Sequence, residues 1–124
     1  LVVPPGQGAR LLLAQVEHLA PHVDAFITDT YNPETGASGA TGRTHDWAVS
    51  RALVEASPRP VILAGGLTPA NVRAAILAVR PAGVDSHTGV EGPDGRKDAA
   101  MVQRFAEEAL AGFQEAHARR PAAG

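Results

Sequence analysis

Short apolar runs alternate with amphipathic stretches along this chain, and this alternation restricts its fold more than any other feature. The apolar runs predict strands at residues 1–3, 25–28, 61–64 and 83–86. The stretches between and after them predict helices at residues 9–20 and 47–56, after Thr68 and after Asp98. Strict alternation of this kind is typical of βα units around a parallel sheet. We therefore predict an α/β chain, built as a doubly wound sheet or as part of a barrel.

Composition excludes several classes of protein. With 124 residues and a formal net charge of -2, the chain suits one small domain and lacks the basic balance of a general nucleic-acid binder. It has no cysteine, which excludes disulfides and cysteine-based metal sites, and its five histidines suggest no other metal site. No apolar run reaches the roughly 20 residues of a membrane span, and no signal peptide is visible. We expect a cytoplasmic protein with no nucleic-acid or membrane partner.

The carboxyl ends of the predicted strands are where functional groups belong in a βα protein. Gly65 and Gly66 end the third strand, and the lack of side chains there lets a ligand approach the backbone. The helix that follows would offer free N–H groups, and small or hydroxyl residues end the fourth strand at Ser86, Thr88 and Gly89. Two neighbouring loops of this kind are typical of the phosphate site of barrels. A plain tight turn is the alternative for the two glycines alone.

Three other side chains near these ends are candidates for chemistry. His87 lies in the second predicted phosphate loop, where its imidazole could donate to a phosphate; an exposed loop residue is the alternative. Asp29 ends an apolar strand, where partial burial would suit it to general acid catalysis. Its alternative role is to cap a helix or anchor a loop. Asp85 ends the fourth strand and could orient substrate hydroxyls or amines, or bind the loop backbone.

A loop rich in glycine and small residues spans residues 36–44. Such a loop could close over a ligand as a lid that includes Gly42, with Arg43 supplying charge. A surface connection is the commoner role of such a segment. The spacing of Gly36, Gly39 and Gly42 does not match the Gly-x-Gly-x-x-Gly pattern of dinucleotide-binding folds.

Three ordered motifs resemble those of the phosphoribosylanthranilate isomerase family, over about residues 24–113. The family has a strand ending in Asp-Thr or Asp-Ser and later Gly-Lys-Thr-Phe-Asp-Trp, and this chain has Ile27-Thr28-Asp29-Thr30 and later Gly42-Arg43-Thr44-His45-Asp46-Trp47. The family's Gly-Gly-Leu-Asn-Pro-Glu-Asn-Val is similar to Gly65-Gly66-Leu67-Thr68-Pro69-Ala70-Asn71-Val72. Its Val-Asp-Val-Ser-Ser-Gly-Val-Glu, followed by Gly and Lys-Asp, is similar to Val84-Asp85-Ser86-His87-Thr88-Gly89-Val90-Glu91, followed by Gly95-Arg96-Lys97-Asp98.

The resemblance implies the C-terminal half of a (β/α)8 TIM barrel, with parallel strands and alternating helices. It implies an Amadori rearrangement in tryptophan biosynthesis, in which the ribose ring of N-(5′-phosphoribosyl)anthranilate opens and isomerises to an aminodeoxyribulose phosphate. This reaction needs a general acid and a general base, and no cofactor or metal. The resemblance assigns the general acid to Asp29, and phosphate binding to the backbone at Gly65 and Gly66 and to the loop with His87 and Thr88. It places Asp85 beside the reacting part of the phosphorylated substrate.

Two departures from the family pattern affect these expectations. The family's general base is a cysteine on the first strand, and this chain has neither that strand nor a cysteine. His87 replaces a family serine and Arg43 a lysine, which leaves open a related barrel with another sugar phosphate, or a non-catalytic phosphate-binding half-barrel. We predict a partial barrel over residues 1–114, from the end of the fifth strand to the eighth helix, and a frayed tail over residues 115–124. We also expect no activity without the missing half, and dimerisation through exposed sheet edges.

Overall fold

The computed structural model describes residues 1–3, 9–30 and 44–118 of the chain. The strands in this part of the chain are β1 (Val2–Val3), β2 (Phe26–Ile27), β3 (Asp29–Thr30), β4 (Val61–Leu63) and β5 (Gly83–Val84). The α-helices are α1 (Arg10–Leu19), α2 (Thr44–Ala56), α3 (Val72–Val79) and α4 (Ala99–Ala118), with single 3-10 turns at Ala20–His22 and Thr88–Val90. This alternation confirms the predicted α/β class.

The strand pairs in the described part of the chain are parallel. β2, β4 and β5 form one sheet in that order, and β1 pairs with β3, which follows β2 directly along the chain. Parallel strands need a crossover connection, and the helices provide it. Because consecutive strands lie side by side, the arrangement is that of neighbouring units of a barrel rather than of a doubly wound sheet whose strand order reverses.

Helices cover one face of this sheet. Phe26 and Val61 pack on that face in a first core cluster, together with Leu12, Val16, Ala20 and Leu53. Leu63 packs on the same face in a second cluster, whose other buried members are Leu67, Val72, Ala75, Ile76, Val79, Ala109 and Ala116. Val54 of α2 contacts both clusters, so they form a continuous apolar layer. Since side chains alternate along a strand, the strand residues that alternate with Phe26, Val61 and Leu63 point to the opposite face.

The apolar residues of α3 recur at the i, i+3, i+4 and i+7 spacing of one helix face, and they lie at the centre of the second cluster. Val72, Ala75 and Ile76 are 0% exposed and Val79 is 1% exposed. α3 packs closely against α4 at Gly112, where an added Cβ would lie only 3.2 Å from Ile76 Cδ1. Full burial of one aliphatic side chain contributes about 1.5–3 kcal/mol to stability, so this helix pair is a main source of cohesion.

Helix α4 continues to Ala118, so the prediction of a frayed tail is wrong for residues 115–118. Ala116 is buried in the second cluster, and its carbonyl accepts a hydrogen bond from Arg80 Nη1 at 2.9 Å. Glu115 Oε2 lies 2.9 Å from Nη2 of Arg73 on α3. These contacts with α3 hold the last turn of α4 in place. Local sequence signals do not predict such contacts. Residues 119–124 of the predicted tail lie outside the described residues.

One helix start and one helix face also differ from the predictions. α2 begins at Thr44, three residues before the predicted start at Trp47. On α4, Val102, Phe105, Ala106, Ala109 and Phe113 recur at helical spacing, which predicts a single buried face. In the structure, however, Val102 is 44% exposed and Ala106 is exposed. The helix instead turns Ala109 and its neighbours in the later turns toward α3.

Replacement of Ile76 by alanine should lower the free energy of unfolding by about 2–5 kcal/mol, because it removes buried methyl groups and leaves a cavity beside α4. Urea denaturation followed by circular dichroism would measure the loss. The matched control is Leu110→Ala on α4, whose side chain is 59% exposed. That change should alter stability by less than about 0.5 kcal/mol. Equal losses for the two variants would contradict the packing of α3 against α4.

Candidate active site

The carboxyl ends of neighbouring strands meet at one edge of the sheet. The register of β2, β4 and β5, continued past the last paired residues, places Asp29, Ala64 and Asp85 side by side. The N–H of Asp85 donates to the carbonyl of Leu63 at 2.9 Å, which holds the last of these positions. By strand alternation, the two aspartates lie on the face opposite the helices. Neighbouring strands are about 4.8 Å apart, so the backbones of the two aspartates are separated by roughly 10 Å.

Both carboxylates at this edge are exposed. The backbone N–H of Asp29 donates to the carbonyl of Leu1 at 2.8 Å, which ties β3 to the start of the chain. The Asp29 side chain itself is exposed, so the described residues do not provide the partial burial that we expect for a general acid. Asp85 is exposed as well. A ligand or further protein over this edge is therefore needed to exclude water from either carboxylate.

Gly65 and Gly66 form the first loop at this edge. Their φ angles are 101° and 69°, a region that side chains disfavour and glycine adopts readily. Asn71 braces the loop, since its Nδ2 donates to the carbonyl of Gly66 at 2.9 Å and its Oδ1 accepts from the N–H of Thr68 at 2.8 Å. Within the described residues, the N–H groups of the two glycines donate no hydrogen bond. Open backbone donors in a fixed turn are an arrangement that binds anions.

Several N–H groups just before and at the start of α3 are occupied, although we expected free N–H groups there. The N–H of Thr68 donates to Asn71 Oδ1, and that of Ala70 to Thr68 Oγ1 at 3.2 Å. The N–H groups of Asn71 and Val72 both donate to the carbonyl of Thr68. These contacts close a turn over residues 68–71, so α3 begins later than predicted. Within the described residues, the N–H groups of Arg73 and Ala74 in the first turn of α3 donate no hydrogen bond, so open backbone donors remain both at the two glycines and at the helix end.

The second loop packs directly on the first. Ser86 Oγ donates to the carbonyl of Leu67 at 2.7 Å. A Cβ added at Gly89 would lie 1.8 Å from the same carbonyl oxygen and 2.8 Å from Ser86 Oγ, so glycine is required there by the close approach of the two loops. The hydroxyl of Ser86 has one proton to donate, and that proton joins the loops. Ser86, whose side chain the sequence predicts to bind phosphate, thus holds the two loops together.

His87 and Thr88 lie on the exposed side of the second loop. The side chain of His87 is 80% exposed, and Lys97 Nζ lies 2.7 Å from its Nδ1 and 2.8 Å from its carbonyl oxygen. Lys97 Nζ also donates to Glu91 Oε2 at 2.7 Å. This hydrogen bond holds the pKa of Glu91 below its ordinary value of 4.5, aided by the charges of Lys97 and His87 and opposed by burial.

Glu91 and Lys97 are absent from the site residues predicted above, although the sequence holds a signal for their contact. Between them, Gly92-Pro93-Asp94-Gly95 has the Pro-Asp-Gly order of a tight turn. The turn forms, with the N–H of Gly92 donating to the carbonyl of Arg96 at 2.8 Å and Gly95 at a φ of 77°. It pairs Glu91 with Lys97 in an antiparallel bridge.

The remaining features lie away from this edge or outside the described residues. Gly42 and Arg43, the predicted lid, lie outside the described residues. A cavity of about 370 Å³ lies at the opposite ends of the strands, near Val61 and Ala82, and none of the predicted site residues lines it.

Among residues 1–3, 9–30 and 44–118, no group of three or more side chains is arranged to hold a metal ion. The helices in these same ranges include none that is long and apolar enough to cross a membrane.

The chain is similar to known proteins over most of its length. A model of the N-(5'phosphoribosyl)anthranilate (PRA) isomerase family matches residues 8–108. An N-(5'-phosphoribosyl)anthranilate isomerase of Haloferax volcanii is 53% identical over 93 residues, which are 75% of this chain and 41% of that protein. N-(5'-phosphoribosyl)anthranilate isomerase 2 of Methanosarcina mazei is 48% identical over 91 residues, covering 73% of this chain and 40% of that protein. The chain thus spans about two fifths of the length of these relatives.

Solved structures agree with this likeness. The phosphoribosyl anthranilate isomerase of Thermotoga maritima matches with a TM-score of 0.68 at 33% identity, over 89% of this chain and 50% of that one. The phosphoribosyl anthranilate isomerase of Thermococcus kodakaraensis matches with a TM-score of 0.66 at 34% identity, over 87% of this chain and 49% of that one. Each match covers about half of the solved chain, in line with a half-barrel.

The substitution Gly89→Ala should push the two loops apart, because its Cβ would lie 1.8 Å from the carbonyl oxygen of Leu67. We expect the free energy of unfolding to fall by about 1–3 kcal/mol, the usual cost of overpacking, as measured by urea denaturation. Gly92→Ala is the matched control in the same loop, since its nearest contact would be an ordinary 3.5 Å to Asp94 Oδ1. A Gly89→Ala variant as stable as this control would contradict the contact between the loops.

Proposed function

Because the chain belongs to the N-(5′-phosphoribosyl)anthranilate isomerase family, we propose that it forms the phosphate-binding and proton-donating half of an isomerase of N-(5′-phosphoribosyl)anthranilate. The observation that carries the proposal is the shared strand edge, where Asp29 stands beside the open backbone donors of Gly65 and Gly66. The substrate has a phosphate at one end and a reacting sugar carbon several bonds away, which fits such an edge. The cytoplasmic location expected from the sequence stays a prediction.

The proposed reaction is an Amadori rearrangement, which consists of proton transfers and a ring opening. A general acid protonates the ring oxygen, so that the bond between this oxygen and C1 breaks while the nitrogen lone pair forms an iminium ion. A general base then removes the proton from C2, and the resulting enol tautomerises to an amino ketone. Positioned acid and base groups supply about 100- to 10,000-fold each in reactions of this kind.

Asp29 is the proposed general acid. Its side chain lies exposed on the open face, at the first residue of β3, where a ligand bound over the edge would contact it. Asp85 is proposed to orient the amine or hydroxyls beside the reacting carbons, from a strand end roughly 10 Å away. Both side chains are carried by strand ends and not by loops, which supports a constant spacing between them.

The substrate phosphate is proposed to bind the backbone N–H groups of Gly65 and Gly66 and the exposed side chains of His87 and Thr88. Donors held in a rigid geometry bind an anion without further ordering, which favours affinity. Ser86 and Gly89 contribute by keeping the second loop on the first, as their contacts with the carbonyl of Leu67 indicate.

The reaction also needs a general base, and the cysteine that the family resemblance implies is not among these 124 residues. We propose that the first strands of the barrel, on the same polypeptide or on another, supply the base and cover the open face. The open face supports this proposal, because Ile27 lies on it with 50% of its surface exposed. A large apolar side chain left half exposed on a sheet face suits a surface that is covered in the assembled protein.

An isomerase of another sugar phosphate is the second candidate, and His87 favours it. An imidazole in place of the family's serine changes both the volume and the donors available beside the phosphate. A screen of phosphorylated aminoaldoses and ketoses would separate this candidate from the first. A non-catalytic phosphate-binding role is the third candidate, and it predicts a function that does not depend on Asp29.

Asp29→Asn should lower kcat by about 100- to 10,000-fold with little change in KM, because a general acid acts mainly in the transition state. The test uses a chimera in which this chain follows the segment of the Haloferax volcanii relative that precedes its match. Turnover is measured as the change in fluorescence when N-(5′-phosphoribosyl)anthranilate is consumed.

Asp24→Asn is the matched control for this experiment, because Asp24 is an exposed carboxylate five positions earlier and lies outside the strand edge. Its chimera should turn over at the wild-type rate. An Asp29→Asn chimera as fast as this control would show that the acid is another group. A folded chimera that binds inorganic phosphate without turnover would mean that the substrate is not the one named here.

The isolated chain should associate and should not turn over substrate. In the described part of the chain, β1 and β5 each have a strand partner on one side only, and such edges pair readily with other chains. Sedimentation velocity at rising concentration should show dimers or larger species. A monomer with measurable isomerase activity would contradict both expectations.

A further inference from the structure

Lys97 contacts three acceptors at once beside the second phosphate loop. Its Nζ lies 2.7 Å from Nδ1 of His87, 2.8 Å from the carbonyl oxygen of His87 and 2.7 Å from Oε2 of Glu91. An ammonium group has three N–H donors and no acceptor. All three donors of Lys97 are therefore engaged, and the carboxylate of Glu91 balances its charge.

This geometry determines which ring nitrogen carries the proton of the neutral His87 imidazole. An ammonium only donates, so the Nδ1 atom 2.7 Å away must present a lone pair and carry no proton. The single proton of the neutral imidazole then lies on Nε2. Because the His87 side chain is 80% exposed, its Nε2 edge is open to a ligand.

A proton on Nδ1 does not fit the same arrangement. It would place an N–H group 2.7 Å from the ammonium of Lys97, which has no acceptor to offer it. Glu91 Oε2 lies 3.7 Å from His87 Nδ1 but only 2.7 Å from Lys97 Nζ, to which it is hydrogen-bonded. Among the described residues, Lys97 and Glu91 are the charged groups in contact with His87, and in the neutral imidazole the contact with Lys97 leaves the proton on Nε2.

We propose that Lys97 is a positioning residue that holds His87 as a neutral Nε2–H donor for the phosphate group of a ligand bound over the Gly65–Gly66 loop. The identity of the ligand rests on the proposed function, whereas the tautomer does not. Lys97 itself is not a phosphate ligand, because a contact with phosphate would require one of its donors to leave His87 or Glu91. The phosphate is bound by neutral donors from His87 and the backbone.

The tautomer of His87 can be measured by 15N NMR on the full chain at about pH 8, above the ordinary pKa of a histidine. The wild-type chain should show an unprotonated Nδ1 and a protonated Nε2. Lys97→Met should populate both tautomers, and Lys97→Arg should restore the Nε2–H form, because a guanidinium also only donates. Arg96→Met removes a charge from an exposed neighbour and should leave the tautomer unchanged. A protonated Nδ1 in the wild type, or no response to Lys97→Met, would overturn the proposal.

Titration of the same variants with inorganic phosphate tests the role of the donor. His87→Ala should weaken binding about 10-fold, the loss expected for one hydrogen bond to a charged group. Lys97→Met should weaken it less, because part of the His87 population keeps the Nε2–H donor. The double variant should bind no more weakly than His87→Ala, because both changes act on the same donor. Wild-type affinity in His87→Ala, or an equal loss in Arg96→Met, would overturn the proposal while leaving the phosphate site in place. A wild-type chain that binds no phosphate would overturn the site and the donor role together, whatever the tautomer.

Discussion

Parallel pairing of β2, β4 and β5 in one register is the constraint on which the rest of the structure depends. It places apolar residues such as Phe26 and Leu63 on the helix-covered face, where the two core clusters form. It also brings the strand ends at Asp29 and Asp85 to a common edge. A shift of one residue in any strand would turn its core side chains to the open face and separate these ends, so packing and site geometry are maintained by the same pairing.

The two loops at this edge owe their geometry to contacts between side chains and backbone. Asn71 holds the carbonyl of Gly66, and Ser86 reaches the carbonyl of Leu67, so the polar side chains support the turns. The consequence for binding is that the open donors are mostly backbone N–H groups with positions set by the fold. An anion bound there would be recognised by geometry, and the charges of Glu91 and Lys97 beside the second loop balance one another.

The open face of the sheet and the exposure of its carboxylates have the same physical cause. Within the described residues, helices cover one face only, so Ile27 and Asp29 both face solvent. Covering this face would remove the apolar side chain of Ile27 from water, which the hydrophobic effect favours. It would also exclude water from the proposed general acid, and water weakens the charge interactions on which that acid depends. The same additional strands would meet both needs, which links assembly of the barrel to the proposed chemistry.

The sequence by itself determined the alternation of strands and helices, the buried stripe of α3 and the strand ends that carry Asp29 and Asp85, because these follow from the local periodicity of side chains. Only the tertiary structure decided which donors near the site are open. Ser86 and Leu67 are 19 positions apart, and the Arg73–Glu115 contact that extends α4 joins residues 42 positions apart. Residue type specifies what a group can donate, but whether that donor is free depends on neighbours in space, which periodicity does not predict.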